Sequence, residues 1–266
     1  VGYSVSVVLL ACLGVLICPL ADIACGQPPA VTFSGKLLLV SPNEGCAVGD
    51  VNKDGNLDVV AGTNWFAGPD FVGRPLRDIP EFNADYLCNN ADCLYDVDKD
   101  GWLDVISGHW MNTEIYWFKN PGKVGLEKGL KWEQALLKDT RDKNEVNELR
   151  DLDGDGVPEW FVNSWSKEDN VVCWKFATDA EGKPTLEEVI IGADGGGHGY
   201  AFGDINGDGR EDLLVETGWY ERPQGAAFAK PWKFHPETAL PHPSCPCVIV
   251  DLNGDGRNDI IWGKAH

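Results

Sequence analysis

The sequence predicts an all-β fold, a β-propeller of four-stranded blades with about five repeats present. Three observations predict it. The pattern Asp-x-(Asp/Asn)-x-Asp-Gly-x-x-(Asp/Glu) occurs five times. Each copy runs directly into consecutive β-branched, aliphatic or aromatic residues, the mark of strands buried on both faces. The copies begin 46 to 55 residues apart, which leaves room for about four strands per repeat.

The chain of 266 residues starts with a stretch outside this pattern. Val1 to Ala21 carry no charge, and Ala24-Cys25-Gly26 offers small residues at an Ala-x-Ala-like cleavage site. Residues 1–26 therefore read as a secretory signal peptide without its basic start, and 27–266 as the propeller domain. A membrane anchor is the alternative, because 21 uncharged residues can just span a bilayer; Pro19 and the small-residue site favour cleavage. The expected location is secreted, periplasmic or cell-surface, with no membrane insertion after cleavage. Six cysteines then remain: Cys46, Cys88, Cys93, Cys173, Cys245 and Cys247. Cys88 and Cys93 are close enough for a small loop bridge; buried free thiols are the other reading.

Acids outnumber bases 42 to 22, a net charge of −20, so phosphate backbones are repelled and nucleic acid is excluded as a partner. The five acidic copies explain much of that excess. Position 1 is Asp50, Asp96, Asp151, Asp204 and Asp251; position 3 is Asn52, Asp98, Asp153, Asn206 and Asn253. Position 5 is Asp54, Asp100, Asp155, Asp208 and Asp255; position 9 is Asp58, Asp104, Glu159, Asp212 and Asp259. These supply oxygen donors of the kind Ca²⁺ requires. Position 7 varies (Asn56, Trp102, Val157, Arg210, Arg257), as suits a residue that offers only its carbonyl. Position 6 is always Gly, where a loop wrapping an ion turns sharply through positive φ. Up to five Ca²⁺ ions are expected. Position 12 holds Ala61, Ser107, Val162, Val215 and Trp262, so these are not EF-hands, which need a Glu there. The alternative is a set of Asx turns between strands.

In the second repeat the expected strands are Asp92–Tyr95, Leu103–Ser107, Glu114–Lys119 and Trp132–Lys138. The third repeat adds Asn170–Ala177 and Thr185–Ile191, the fourth Gly218–Glu221 and Pro231–Phe234. The helix-like window Leu126–Asp139 is read as a loop followed by an outer strand.

Gly49-Asp50-Val51-Asn52-Lys53-Asp54-Gly55-Asn56-Leu57-Asp58-Val59-Val60-Ala61-Gly62 and Gly203-Asp204-Ile205-Asn206-Gly207-Asp208-Gly209-Arg210-Glu211-Asp212-Leu213-Leu214-Val215 resemble FG-GAP/VCBS repeats. These are the blades of integrin-α-like β-propellers and of many secreted bacterial proteins. Trp117-Phe118-Lys119-Asn120-Pro121-Gly122 is similar to the third-strand motif of the bacterial blades. The resemblance runs from about residue 44 to the end and implies calcium in the loops between first and second strands. The third copy departs from the pattern with Pro158 and Glu159. Propellers of this family close with seven or eight blades, so the resemblance implies a piece of a longer propeller.

With the acidic loops on one side of the sheets, each first strand starts and each second strand ends on the other. Six residues before the copies stand Glu44, Asn90, Glu145, His198 and Cys245. Fourteen or fifteen residues after each first Asp stand Trp65, Trp110, Trp165, Trp219 and His266. Trp65, Trp110, Trp165, Trp219 and Glu44 are the candidate ligand contacts, since Trp faces stack on sugar rings and acids bind hydroxyls. Packing between blades is the competing role for the tryptophans. His198, His109 and Glu145 are the candidate catalytic groups. The function expected is a secreted calcium-binding propeller that binds carbohydrate or an extracellular protein. The alternative is a propeller-type sugar-active lyase or dehydratase acting on the face opposite the metals.

Overall fold

The computed structural model describes residues 32–83, 86–140, 143, 145–163, 170–243 and 247–264. The chain divides into two units, Val1–Leu37 and Leu38–His266. The proposed signal segment 1–26 lies outside the described residues, as do Trp165, Cys245 and His266. All the strands named here belong to the second unit.

Four antiparallel meanders of four strands each make up most of it. Sheet 1 is β1 (Cys46–Gly49), β2 (Asp58–Ala61), β3 (Asn64–Ala67) and β4 (Val72–Pro75). A small hairpin follows, β5 (Glu81–Asn83) with β6 (Tyr86–Leu87). Sheet 2 is β7 (Ala91–Tyr95), β8 (Asp104–Gly108), β9 (Glu114–Lys119) and, after the helix α1 (Gly122–Glu127), β10 (Glu133–Asp139). Sheet 3 is β11 (Asn147–Arg150), β12 (Glu159–Val162), β13 (Val171–Thr178) and β14 (Pro184–Gly192). Sheet 4 is β15 (Ala201–Gly203), β16 (Asp212–Val215), β17 (Gly218–Glu221) and β18 (Lys233–His235). β19 (Val248–Val250) and β20 (Asp259–Ile261) pair as a fifth, two-stranded sheet.

The strand expectations hold to within two residues at each end, and Glu114–Lys119 and Gly218–Glu221 coincide with β9 and β17. The window Leu126–Asp139 needs a correction in its first part. An outer strand is there, but α1 reaches into the region expected to be loop. Asn120 Oδ1 accepts the Gly122 N–H at 3.0 Å and opens the turn, and Leu126 is buried in the core between sheets 1 and 2. One anchored apolar side chain thus holds a helix too short to persist by itself.

The sheets pack in chain order, and their faces explain the runs of consecutive apolar residues. In β8, Val105 enters the core shared with sheet 1, and its neighbour Ile106 enters the core shared with sheet 3. In β16, Leu213 and Val215 face sheet 3, while Leu214 faces the fifth sheet. Period-two alternation therefore buries both faces. First strands lie beside one another, β1 with β7, β7 with β11 and β15 with β19. A buried ion pair ties sheets 1 and 2: Arg77 Nη2 lies 2.7 Å from Asp92 Oδ2, and Arg77 Nε donates to the Gly62 carbonyl at 3.0 Å. Among the described residues Cys46, Cys88, Cys93 and Cys173 are free, so Cys88 and Cys93 form no bridge.

Candidate functional site

All five acidic copies fold into one loop geometry between the first and second strands of their sheets. The position-1 carboxylate accepts the N–H of the position-6 Gly at 2.8–3.0 Å in every loop. The position-5 carboxylate accepts the N–H of position 7 at 2.7–3.0 Å. Gly101 sits at φ +90°, the left-handed turn expected at position 6. Position 4 is left-handed too, with Lys53 at φ 60° and Lys99 at φ 59°; the other three loops carry Gly there. The loops are therefore Asx-turn nests, and the hydrogen bonds that build them leave further carboxylate lone pairs for a cation.

Position 9 does a second job. Its carboxylate accepts the N–H of position 2 at 2.8–3.1 Å in all five loops. In sheets 1, 2 and 4 its other oxygen accepts an N–H at the end of the third strand: Gly68 to Asp58, Asn120 to Asp104 and Arg222 to Asp212, at 2.8–3.0 Å. Asp58, Asp104 and Asp212 are fully buried, and this burial raises their pKa values despite the hydrogen bonds, Asp104 to about 7.

Two loops bring their carboxylates close enough to hold a metal ion: Asp96, Asp98 and Asp104, and Asp151, Asp153 and Glu159. Within each group the oxygens lie within 4.8 Å of one another. Asp96 Oδ1 is buried without a hydrogen-bond partner, an oxygen that a cation would satisfy. An all-carboxylate set suits a hard divalent ion, not a soft one.

At the opposite ends of the sheets, residues six before the loops meet in neighbouring pairs. Asn90 Nδ2 donates to Glu44, and Asn90 Oδ1 accepts the Trp110 N–H at 3.1 Å. His198 Nε2 lies 3.1 Å from Glu145 Oε2, and His198 Nδ1 lies 3.2 Å from the Pro243 carbonyl oxygen. Asn163, which the repeat pattern did not single out, binds both partners: Oδ1 accepts the Glu145 and Val146 N–H groups, and Nδ2 donates to the His198 carbonyl.

The tryptophans separate into two groups. Trp110 lies in the five-residue turn between β8 and β9, near Phe82 (ring centroids 5.5 Å apart) and Lys143. Trp65 and Trp219 are the second residues of β3 and β17, reached by two-residue turns, and both are buried between sheets. Trp219 stacks on His235 with centroids 4.0 Å apart. His109 parts from Trp110: it is buried, lowered in pKa by that burial, and has its Nδ1 unpaired. It lines a cleft of about 330 Å³ with Cys88, Asn112, Glu114, Tyr116 and Gln134. Tyr116 and Asn112 both donate to Glu114 Oε2, at 2.8 and 3.1 Å.

Residues 151–215 match the FG-GAP-like repeat family, which bears out the resemblance over that stretch. No curated protein matches the chain. Among solved structures, it is similar to an Agrocybe aegerita lectin that recognises non-reducing terminal N-acetylglucosamine, at 19% identity and TM-score 0.45, over 80% of this chain and 59% of that one. It is also similar to the V. cholerae biofilm matrix protein Bap1, at 20% identity and TM-score 0.33, over 69% of this chain and 30% of that one. The chain thus spans less than two thirds of either protein. Among the described residues, no helix is long and apolar enough to cross a membrane.

Proposed function

We propose that this FG-GAP-repeat chain is part of a secreted β-propeller that holds Ca²⁺ in its acidic loops and binds carbohydrate or an extracellular protein at the opposite rim. The apolar outer faces of the first and fifth sheets, with Val48, Val248 and Ile261 exposed, are surfaces that a continuing ring of blades would cover. Asp50, Asp96, Asp151, Asp204 and Asp251, with positions 3, 5 and 9 and the position-7 carbonyls, would hold the ions. Bound calcium supplies positive charge that relieves three or four carboxylates crowded into one turn.

The observation that carries the binding reading is the polar set at the rim, Glu44–Asn90–Trp110 and Glu145–His198, beside the cleft of His109, Glu114 and Tyr116. It combines amide, carboxylate and aromatic surface, the mixture that recognises hydroxylated rings. His198 is held between the Glu145 carboxylate and the Pro243 carbonyl, 3.1 and 3.2 Å away, and serves in this reading as a polar contact at the rim.

The test is a panel of neutral and acidic polysaccharides, screened with the full chain in calcium and in chelator. Trp110→Ala and His198→Ala should weaken binding at least tenfold and leave calcium affinity intact. If the rim variants bind like wild type while loop variants lose binding without unfolding, the functional face is the other one.

A further inference from the structure

Loops 2 and 3, starting at Asp96 and Asp151, differ from the others in two features that occur together. Position 3 is Asp98 or Asp153 there, but Asn52, Asn206 or Asn253 elsewhere. Each of those aspartates is paired with a lysine from the third strand of its own sheet. Lys119 closes on Asp98 and lies 3.1 Å from Asp100 Oδ2. Lys175 closes on Asp153 and lies 3.4 Å from Glu159 Oε1.

The register puts both lysines at one place. Trp160 pairs with Trp174, so Lys175 stands across from Glu159 at position 9. Val105 pairs with Phe118, so Lys119 stands across from Asp104 at position 9. The same step in sheets 1 and 4, whose loops carry Asn at position 3, leads to Ala67 and Glu221. In loop 4 Arg210 also reaches an aspartate, Asp208, but from position 7 of its own loop and not across the sheet. The charge count agrees with the pairing. Four carboxylates and one ammonium give the net charge of three carboxylates and one amide.

We infer that Lys119 and Lys175 are built-in counter-cations of loops 2 and 3. Each ammonium holds its four-carboxylate loop closed by itself and competes with a divalent cation for the same oxygens. Loops 2 and 3 then keep their shape without metal and bind it only by displacing a lysine, whereas loops 1 and 4 have no cross-strand cation. This rests on the reading of the acidic loops as cation sites.

The experiment compares full-chain wild type, Lys119→Met, Lys119→Gln and the double variant Asp98→Asn/Lys119→Met. Trp102, inside loop 2 at position 7, sensitises Tb³⁺ emission from that loop. Removing a unit charge a few ångströms from the ion should raise Tb³⁺ affinity there by about tenfold and lower the melting midpoint in chelator. The double variant, with the charge balance of loop 1, should bind within about twofold of wild type. Lys175→Met, read by the Ca²⁺ concentration needed to raise the melting midpoint, repeats the test in loop 3 should the loop-2 variants fail to fold. Unchanged or weaker affinity in the lysine variants, alongside normal binding by wild type, overturns the inference alone. No cation-dependent emission or melting shift in any protein overturns the cation-site reading beneath it.

Discussion

Replacing Asp58 by Ala separates the two jobs of a position-9 carboxylate. Asp58 is fully buried; Oδ2 accepts the Val51 N–H and Oδ1 the Gly68 N–H, each at 2.9 Å. Alanine leaves both donors unpaired where water does not reach them, at about 1–3 kcal/mol each. Burial raises the Asp58 pKa, so removing the carboxylate also removes some desolvation cost, and the net loss falls near the lower end, about 2–4 kcal/mol. For a chain of this size that lowers the melting midpoint by roughly 5–15 °C. Melting should be followed by circular dichroism in excess chelator, so that metal plays no part. Asp54→Ala in the same loop is the control, because its carboxylate serves only local turns at the surface; its midpoint in chelator should stay within about 2 °C of wild type. If Asp58→Ala melts with wild type in chelator, the carboxylate does not staple the loop to the third strand.

Two further outcomes are expected. Asp208→Ala should weaken calcium binding more than Asn206→Ala, because it removes a charge as well as an oxygen; equal affinities by calorimetric titration would contradict the ligand assignment. In chelator, stability should fall as pH rises from about 4 to about 7, with four raised carboxyls outweighing one buried histidine, His109, whose lowered pKa acts in the opposite sense. Burial raises the carboxyls of Asp58, Asp104, Glu159 and Asp212, Asp104 to about 7, so the folded state holds protons that the unfolded chain has already released. Excess calcium should flatten that slope, and a midpoint that climbs with pH in chelator would refute the cause given.

The strands and the acidic loops were legible because each rests on a local pattern. The motif fixes the turn, and apolar pairs such as Val105-Ile106 serve a core on either side. Position 4 was less visible, since Lys and Gly share one left-handed conformation there and only Gly announces it. The rim pairing of Glu44 with Asn90 and of Glu145 with His198 follows from equal offsets in adjacent repeats. Asn163 had no such signal, because its partners are backbone groups of two different sheets.

Equal spacing misled most where turn length changes between repeats. Trp65, Trp110 and Trp219 have nearly the same offset from their first Asp, yet a two-residue turn makes Trp65 and Trp219 strand residues, and the longer turn of sheet 2 keeps Trp110 outside. One added turn residue moves a side chain along the strand and to the other face, so offsets counted across a turn of unknown length fix neither depth nor direction. The same physics hid Lys119 and Lys175. Their offsets from the loops span the second turn, and only the cross-strand register shows that both stand opposite position 9. Chemistry confined to one loop can thus be read from residue types, while chemistry assembled across strands waits on the turn between them.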